Sequence, residues 1–183
     1  SQVLVDRDQN ATEVYINSVH GKEAGKTRIA QVDLNGYLHR RLSFKVSYRW
    51  INSQQWLNYQ FQQQPLQSIH RAIGALQYQT RNKWYIDAVG QFNSRKRLPY
   101  YSSISHPQHP GYSPHYWIVN LQVRKVISQQ FEFYFGGENL ANVSQHHPIM
   151  NWQNPAGTEF DAGYAWGPTN GRTVYAGLRW SIF

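Results

Sequence analysis

Residues 41–51 read RLSFKVSYRWI. Leu42, Phe44, Val46, Tyr48 and Trp50 alternate with Arg41, Ser43, Lys45, Ser47 and Arg49. A strand turns successive side chains to opposite faces, so this segment carries one apolar face and one basic face. On a helix the same residues would be scattered around the axis.

Working outward, seven more runs follow the same period, near 12–19, 27–38, 69–79, 83–93, 115–125, 130–138 and 173–183. In 69–79, Ala72, Gly74, Leu76 and Tyr78 oppose Arg71, Gln77 and Gln79. In 83–93, Trp84, Ile86, Ala88 and Phe92 oppose Asp87 and Gln91. In 115–125, Trp117, Val119, Leu121 and Val123 oppose Asn120, Gln122 and Arg124. In 130–138, Phe131, Phe133 and Phe135 oppose Glu132, Tyr134 and Gly136. The run at 12–19 alternates weakly. In 27–38, Ile29, Val32 and Leu34 share a face only if the start is irregular. No stretch keeps apolar residues at helical spacing; the nearest, 54–70, is broken by Pro65. The expected fold class is therefore all-β.

The links between runs sort by length. Tight ones lie near 38–41, 80–83 and 126–129, and long ones at 52–67, 94–113 and 139–171, with a shorter one at 20–26. Short and long alternate, so in an antiparallel sheet every long loop leaves from one edge. Most runs reach about nine residues or more, longer than the usual five or six of soluble sheets. Strands that cross an outer membrane need roughly 9–11 residues at a tilt. Tyr and Trp crowd the run ends, as in interfacial girdles.

Composition sharpens the choice without settling it. The chain of 183 residues carries a net charge of +8 and 15% aromatics, yet its mean hydropathy is −0.66. Cysteine is absent, which removes disulfides and thiolate metal sites. No apolar run is long enough for a membrane-spanning helix. The opening SQVLVDRDQ is neither basic nor apolar enough for a signal peptide, and a mature export product or an internal fragment begins in this way. A soluble secreted β-sandwich or lipocalin-like barrel also alternates, with its apolar face inward. Periodicity leaves both readings open.

The last third carries a longer pattern: FEFYFGGENLANVSQHHPI, then NPAGTEFDAGYAWGPTNGRTVYAGLRWSIF. Gly137-Glu138-Asn139-Leu140, then Gln145, Pro148-Ile149, Phe160-Asp161, Trp166-Gly167-Pro168, Gly171-Arg172, Tyr175 and Gly177-Leu178-Arg179-Trp180 follow one another in order. This resembles the C-terminal end of TonB-dependent outer-membrane receptors, especially Bacteroidetes-like forms. The resemblance implies a transmembrane antiparallel β-barrel, with about eight strands here as the C-terminal part of a 22-stranded plugged barrel. It implies active transport of a scarce nutrient in the bacterial outer membrane: a metal chelate, haem, cobalamin or similar. The implied partners are outer-membrane lipid and lipopolysaccharide, the remaining barrel strands and plug, a TonB-type energy protein and the barrel-assembly machinery. Trp180, Ile182 and Phe183 stand where that machinery reads its signal. A small self-contained eight-stranded barrel with a structural or ligand-binding role is the alternative, but it would crowd Arg41, Lys45 and Arg49 into a narrow core.

No nucleophile–base or paired-carboxylate constellation indicates an enzyme, and no intrinsic cofactor is expected. A transported metal chelate is. His106, His109, His115, His146 and His147 fall on the long loops or their edges, where imidazoles could hold Cu, Zn, Ni or haem iron. Arg41, Lys45, Arg49, Arg71 and Arg124 fall on polar faces, suited to an anionic substrate or to acids of a plug. The triplet Arg95-Lys96-Arg97, near Tyr112, suits lipopolysaccharide phosphates or ligand recognition. No nucleic-acid motif accompanies these bases.

Overall fold

Period-two alternation becomes a single large antiparallel sheet. The computed structural model describes residues 5–7, 14–16, 25–57, 60–99, 111–157, 160, 162 and 164–182. The strands are β1 (Val5–Arg7), β2 (Val14–Ile16), β3 (Lys26–His39), β4 (Leu42–Leu57), β5 (Gln60–Gln63), β6 (His70–Gln79), β7 (Trp84–Asn93), β8 (Tyr116–Val126), β9 (Phe131–Glu138) and β10 (Thr173–Trp180). No helix occurs among the described residues. The main sheet runs β10-β9-β8-β7-β6-β4-β3, with β5 paired to the far part of β4. Its eight strands are antiparallel neighbours, and β3 and β10 are its open edges.

Two expected boundaries change. Of the run near 12–19, the described residues are Val14–Ile16, which pair with β1 rather than with the main sheet. The segment 52–67 is not simply a loop: β4 pairs with β6 as far as Trp50, then continues and pairs Gln54–Leu57 with β5. Gln54 meets Gln63 and Gln55 meets Gln62. With amides on both faces the backbone ladder persists, but the hydropathy period that reveals a strand disappears.

Registry carries one apolar face across all seven strands of the path. Leu34 lies opposite Val46, Phe44 opposite Leu76, Ala88 opposite Leu121, Val123 opposite Phe135 and Phe133 opposite Leu178. This face is bare: Leu34, Phe135 and Leu178 are 59%, 52% and 64% exposed. Ile29 does not join it. β3 pairs without a break from Lys26 to Tyr37, which puts Ile29 with Ile51 on the polar face.

Apolar burial lies instead among the long loops, where Leu98, Met150 and Tyr164 are 1–4% exposed and Leu66 and Trp166 pack against them. A sheet with its core in its loops and its apolar face open is the inverse of a soluble sandwich.

β9 and β10 are locked by a reciprocal exchange. Tyr175 lies opposite Gly136, and Gly177 opposite Tyr134. A Cβ on Gly136 would meet the Tyr175 ring at 2.5 Å, and one on Gly177 would collide with the Tyr134 ring. Tyr175 Oη also donates to Gln122 Oε1 at 3.0 Å, so its ring is not free to swing. Gly177→Val is expected to cost about 1–3 kcal/mol through overpacking. The unfolding midpoint by heat-dependent gel mobility checks it; an unchanged midpoint would mean the rings yield.

Candidate functional site

The polar face holds Lys45, Arg49, Arg71 and Arg124. Arg49 and Arg71 stand directly opposite one another, with Lys45 two rungs further along β4, opposite Ala75. Like charges so placed repel. Arg71 Nε donates to Asn93 Oδ1 at 3.1 Å, and Gln91 Nε2 donates to the same oxygen at 3.3 Å. Asn93 is 1% exposed, and its Nδ2 has no hydrogen-bond partner.

The two ion pairs among the described residues share Glu132: Arg124 at 2.9 Å and Arg179 at 2.6 Å. Arg124 also lies over the Tyr85 ring, 4.2 Å from its centroid. Arg124 is therefore a structural cross-strand group, whereas Lys45, Arg49 and Arg71 make no ion pair among the described residues. Arg41 lies in the β3–β4 turn rather than on a strand face.

The long loops form one packed rim. Lys96 and Arg97, adjacent in a backbone-bridged segment, reach in different directions. Arg97 donates from Nη1 to Gln63 O at 3.0 Å and from Nη2 to Gln62 Oε1 at 2.6 Å. Lys96 Nζ donates to Tyr116 Oη at 3.1 Å and to Trp166 O. Two members of the basic triplet thus tie loops together, and Arg95 stays exposed beside the Tyr112 ring.

Gln145, 5% exposed, is the hub of the last loop. Its Oε1 accepts from Trp166 N at 2.7 Å and Gly167 N at 3.2 Å, and its Nε2 donates to Tyr164 O at 3.0 Å. Asn139, at φ 50°, accepts from Val143 N and donates to Val143 O and Asn170 O. Leu140 covers Gly137 so closely that a Cβ there would meet it at 2.7 Å. Arg172 Nε donates to Leu140 O at 3.1 Å. The conjoined Gly-Glu-Asn-Leu and Gly-Arg elements therefore fasten the ends of one loop.

His115 and His146 come together on a cleft of about 490 Å³ that Tyr116, Trp117 and Trp166 also line. His147 is exposed, at φ 54°. His106 and His109 lie outside the described residues, as does Phe183. No three His, Cys, Asp or Glu side chains gather for a metal among the described residues. Trp180 and Ile182 are 70% and 81% exposed on the outermost strand and just past it. Sequence reasoning missed Asn93 and Lys96 as anchors; a buried amide and a loop-tying amine leave no periodic trace.

No family model and no curated protein matches the sequence. Solved structures do resemble the fold. The ferric-catecholate import receptor Fiu of Escherichia coli K12, in its closed form, matches over 94% of this chain and 23% of its own, with TM-score 0.62 and 15% identity. A mutant of the ferric enterobactin receptor PfeA of Pseudomonas aeruginosa matches over 83% of this chain and 22% of its own, with TM-score 0.56 and 14% identity. The chain thus spans less than a quarter of the length of either receptor.

Proposed function

We propose that this chain is a wall segment of a TonB-dependent receptor in a bacterial outer membrane, and that its polar face borders the path of an anionic metal chelate. The observation that carries this reading is the continuous, exposed apolar face of the main sheet, with the buried apolar cluster of Leu98, Met150 and Tyr164 in the loops on one edge. Lipid is the solvent such a face needs, while a wet interior suits Gln, Asn, Arg and Lys. A soluble sandwich would require a second layer over the whole face. The open edges β3 and β10 await further strands; in a barrel of this chain's strands alone, Arg49 and Arg71 would enter a narrow core with too few acids. The Bacteroidetes-type assignment rests on the C-terminal pattern. Plug, energy protein and assembly machinery enter as partners of the whole receptor, whose role is transport rather than catalysis.

Arg49 and Arg71 point to the charge of the cargo. Their mutual repulsion of about 0.2–1 kcal/mol is relieved when an anion bridges them. In the intact receptor, Arg49→Gln with Arg71→Gln is expected to weaken binding of ferric enterobactin, used as an anionic probe, by about tenfold or more. The unliganded protein should be as stable as the parent or slightly more so. Unchanged binding, or no binding by the parent itself, would overturn the anionic-cargo reading.

A further inference from the structure

We infer that Asn170 is a site of spontaneous covalent modification, where the chain converts an amide into a carboxylate and loosens the fastening of its last long loop. The inference does not depend on the transport reading, because it concerns one bond and its neighbours. Asparagine precedes glycine twice in the chain, at Asn35-Gly36 and at Asn170-Gly171. A glycine has no side chain to shield its own nitrogen, so that nitrogen can reach the asparagine Cγ. The fold treats the two sites differently. Asn35 and Gly36 sit within β3, opposite Lys45 and Phe44 of β4. The ladder keeps their backbone extended, and the Gly36 nitrogen cannot turn towards the Asn35 side chain unless the pairing opens.

Asn170 and Gly171 lie just before β10, outside every strand. Asn170 is exposed, and among the described residues neither its side-chain amide nor the Gly171 N–H makes a hydrogen bond. Packing explains the glycine: a Cβ at 171 would meet Asn142 Oδ1 at 2.8 Å. Arg172 N donates to that oxygen at 2.9 Å, which holds it in place. The close approach that calls for glycine therefore also leaves its nitrogen unshielded.

The reaction consumes only water. The Gly171 nitrogen gives up its proton and bonds to Asn170 Cγ. The Cγ–Nδ2 bond breaks, and ammonia leaves with that proton. Water then opens the cyclic imide at either carbonyl. Opening at Cγ leaves aspartate. Opening at the main-chain carbonyl leaves isoaspartate, whose backbone runs through the former side chain. One water enters and one ammonia leaves, with no change of oxidation state.

Position decides the consequence. Asn170 O accepts from Asn139 Nδ2 at 3.2 Å, and two residues on, Arg172 N is tied to Asn142. Asn139 and Asn142 shape the first turn of the same loop: Asn142 N donates to Asn139 O at 2.7 Å, and Val143 N to Asn139 Oδ1 at 3.0 Å. Isoaspartate inserts a methylene between the two anchor points and turns the Asn170 carbonyl into a free carboxylate near Arg172. The lengthened chain no longer matches both partners. The cleft that Asn142, Ser144 and His146 line then loses a fixed wall.

The test is peptide mapping by mass spectrometry of the intact protein, incubated at mildly alkaline pH, where the attacking nitrogen loses its proton more readily. Asn170 should convert from amide to carboxyl about tenfold faster than Asn35, or more, because Asn35 waits for its strand to open. After denaturation the two rates should converge. Isoaspartate should appear among the products, read from its backbone fragments. In the converted protein, hydrogen exchange at the Val143 and Arg172 amides should rise about tenfold, whereas Asn170→Gln incubated in parallel should exchange as before. No conversion at Asn170, or equal rates at both sites in the folded protein, overturns the site. A rate difference that survives denaturation overturns the part assigned to the fold, and conversion without faster exchange overturns the loosening.

Discussion

Leu121→Arg is expected to destabilise the intact protein by about 2–4 kcal/mol, the penalty for a charge on a barrel's lipid face near the bilayer midplane. Leu121 lies in the middle of β8, between Ala88 of β7 and Gly137 of β9 on the apolar face. Its neighbour Asn120 points to the other face, where its Oδ1 accepts from Asn139 N at 2.9 Å, so Asn120→Arg should cost only the loss of that bond, about 0.5–1.5 kcal/mol. Depth decides the size of the effect. Lys125 already occupies the apolar face near the short-turn end of β8, where its Nζ donates to Asn82 O at 2.5 Å and lies 5.1 Å from the centre of the Trp84 ring. A lysine so placed reaches the interface with its amine. Ile182→Arg, past the last rung, should therefore cost only about 0–1 kcal/mol. Urea unfolding in lipid vesicles checks the series. Equal costs at 121 and 182 would contradict a lipid-facing stripe, since neither a packed sandwich nor a solvated face produces a gradient with depth.

Leu98→Ala is expected to cost about 2–5 kcal/mol, the range for emptying a well-packed site. Leu98 is 1% exposed against Met150 and Tyr164. Because this cluster lies among the loops, the loss should be local. Hydrogen exchange should show lost protection at Leu98, whose amide donates to Gly111 O, and at Gln145, whose amide donates to Pro168 O. The amides paired between β7 and β8 should keep theirs. A uniform loss across the strands would show that the rim and the sheet share one core.

Most of the sheet was legible because one side of each strand is apolar and the other is not. RLSFKVSYRWI, HYWIVNLQVRK and QFEFYFGGE each assign their own faces, and registry joins those faces as expected. The β4–β5 hairpin was illegible for the opposite reason: a strand with glutamines on both sides has no hydropathy period. Ile29 misled because an apolar residue on a polar face looks like a shift of phase. The partners of the basic triplet were illegible because charge in a loop sequence says nothing of them. Lys96 reaches a carbonyl 70 residues away, and Arg97 a glutamine 35 residues away.

By itself the sequence determined the strand character, the two-faced pattern and the gathering of long loops on one edge. These follow from alternation and link length, which are local properties of the chain. Tertiary structure alone decided that Arg49 confronts Arg71 without an acid among the described residues, that Glu132 serves two arginines, and that His115 and His146 share a cleft. Those relations depend on registry between strands and on loop contacts far apart in sequence. A one-residue slip of register would exchange every face; no local pattern encodes which residue a side chain will finally meet.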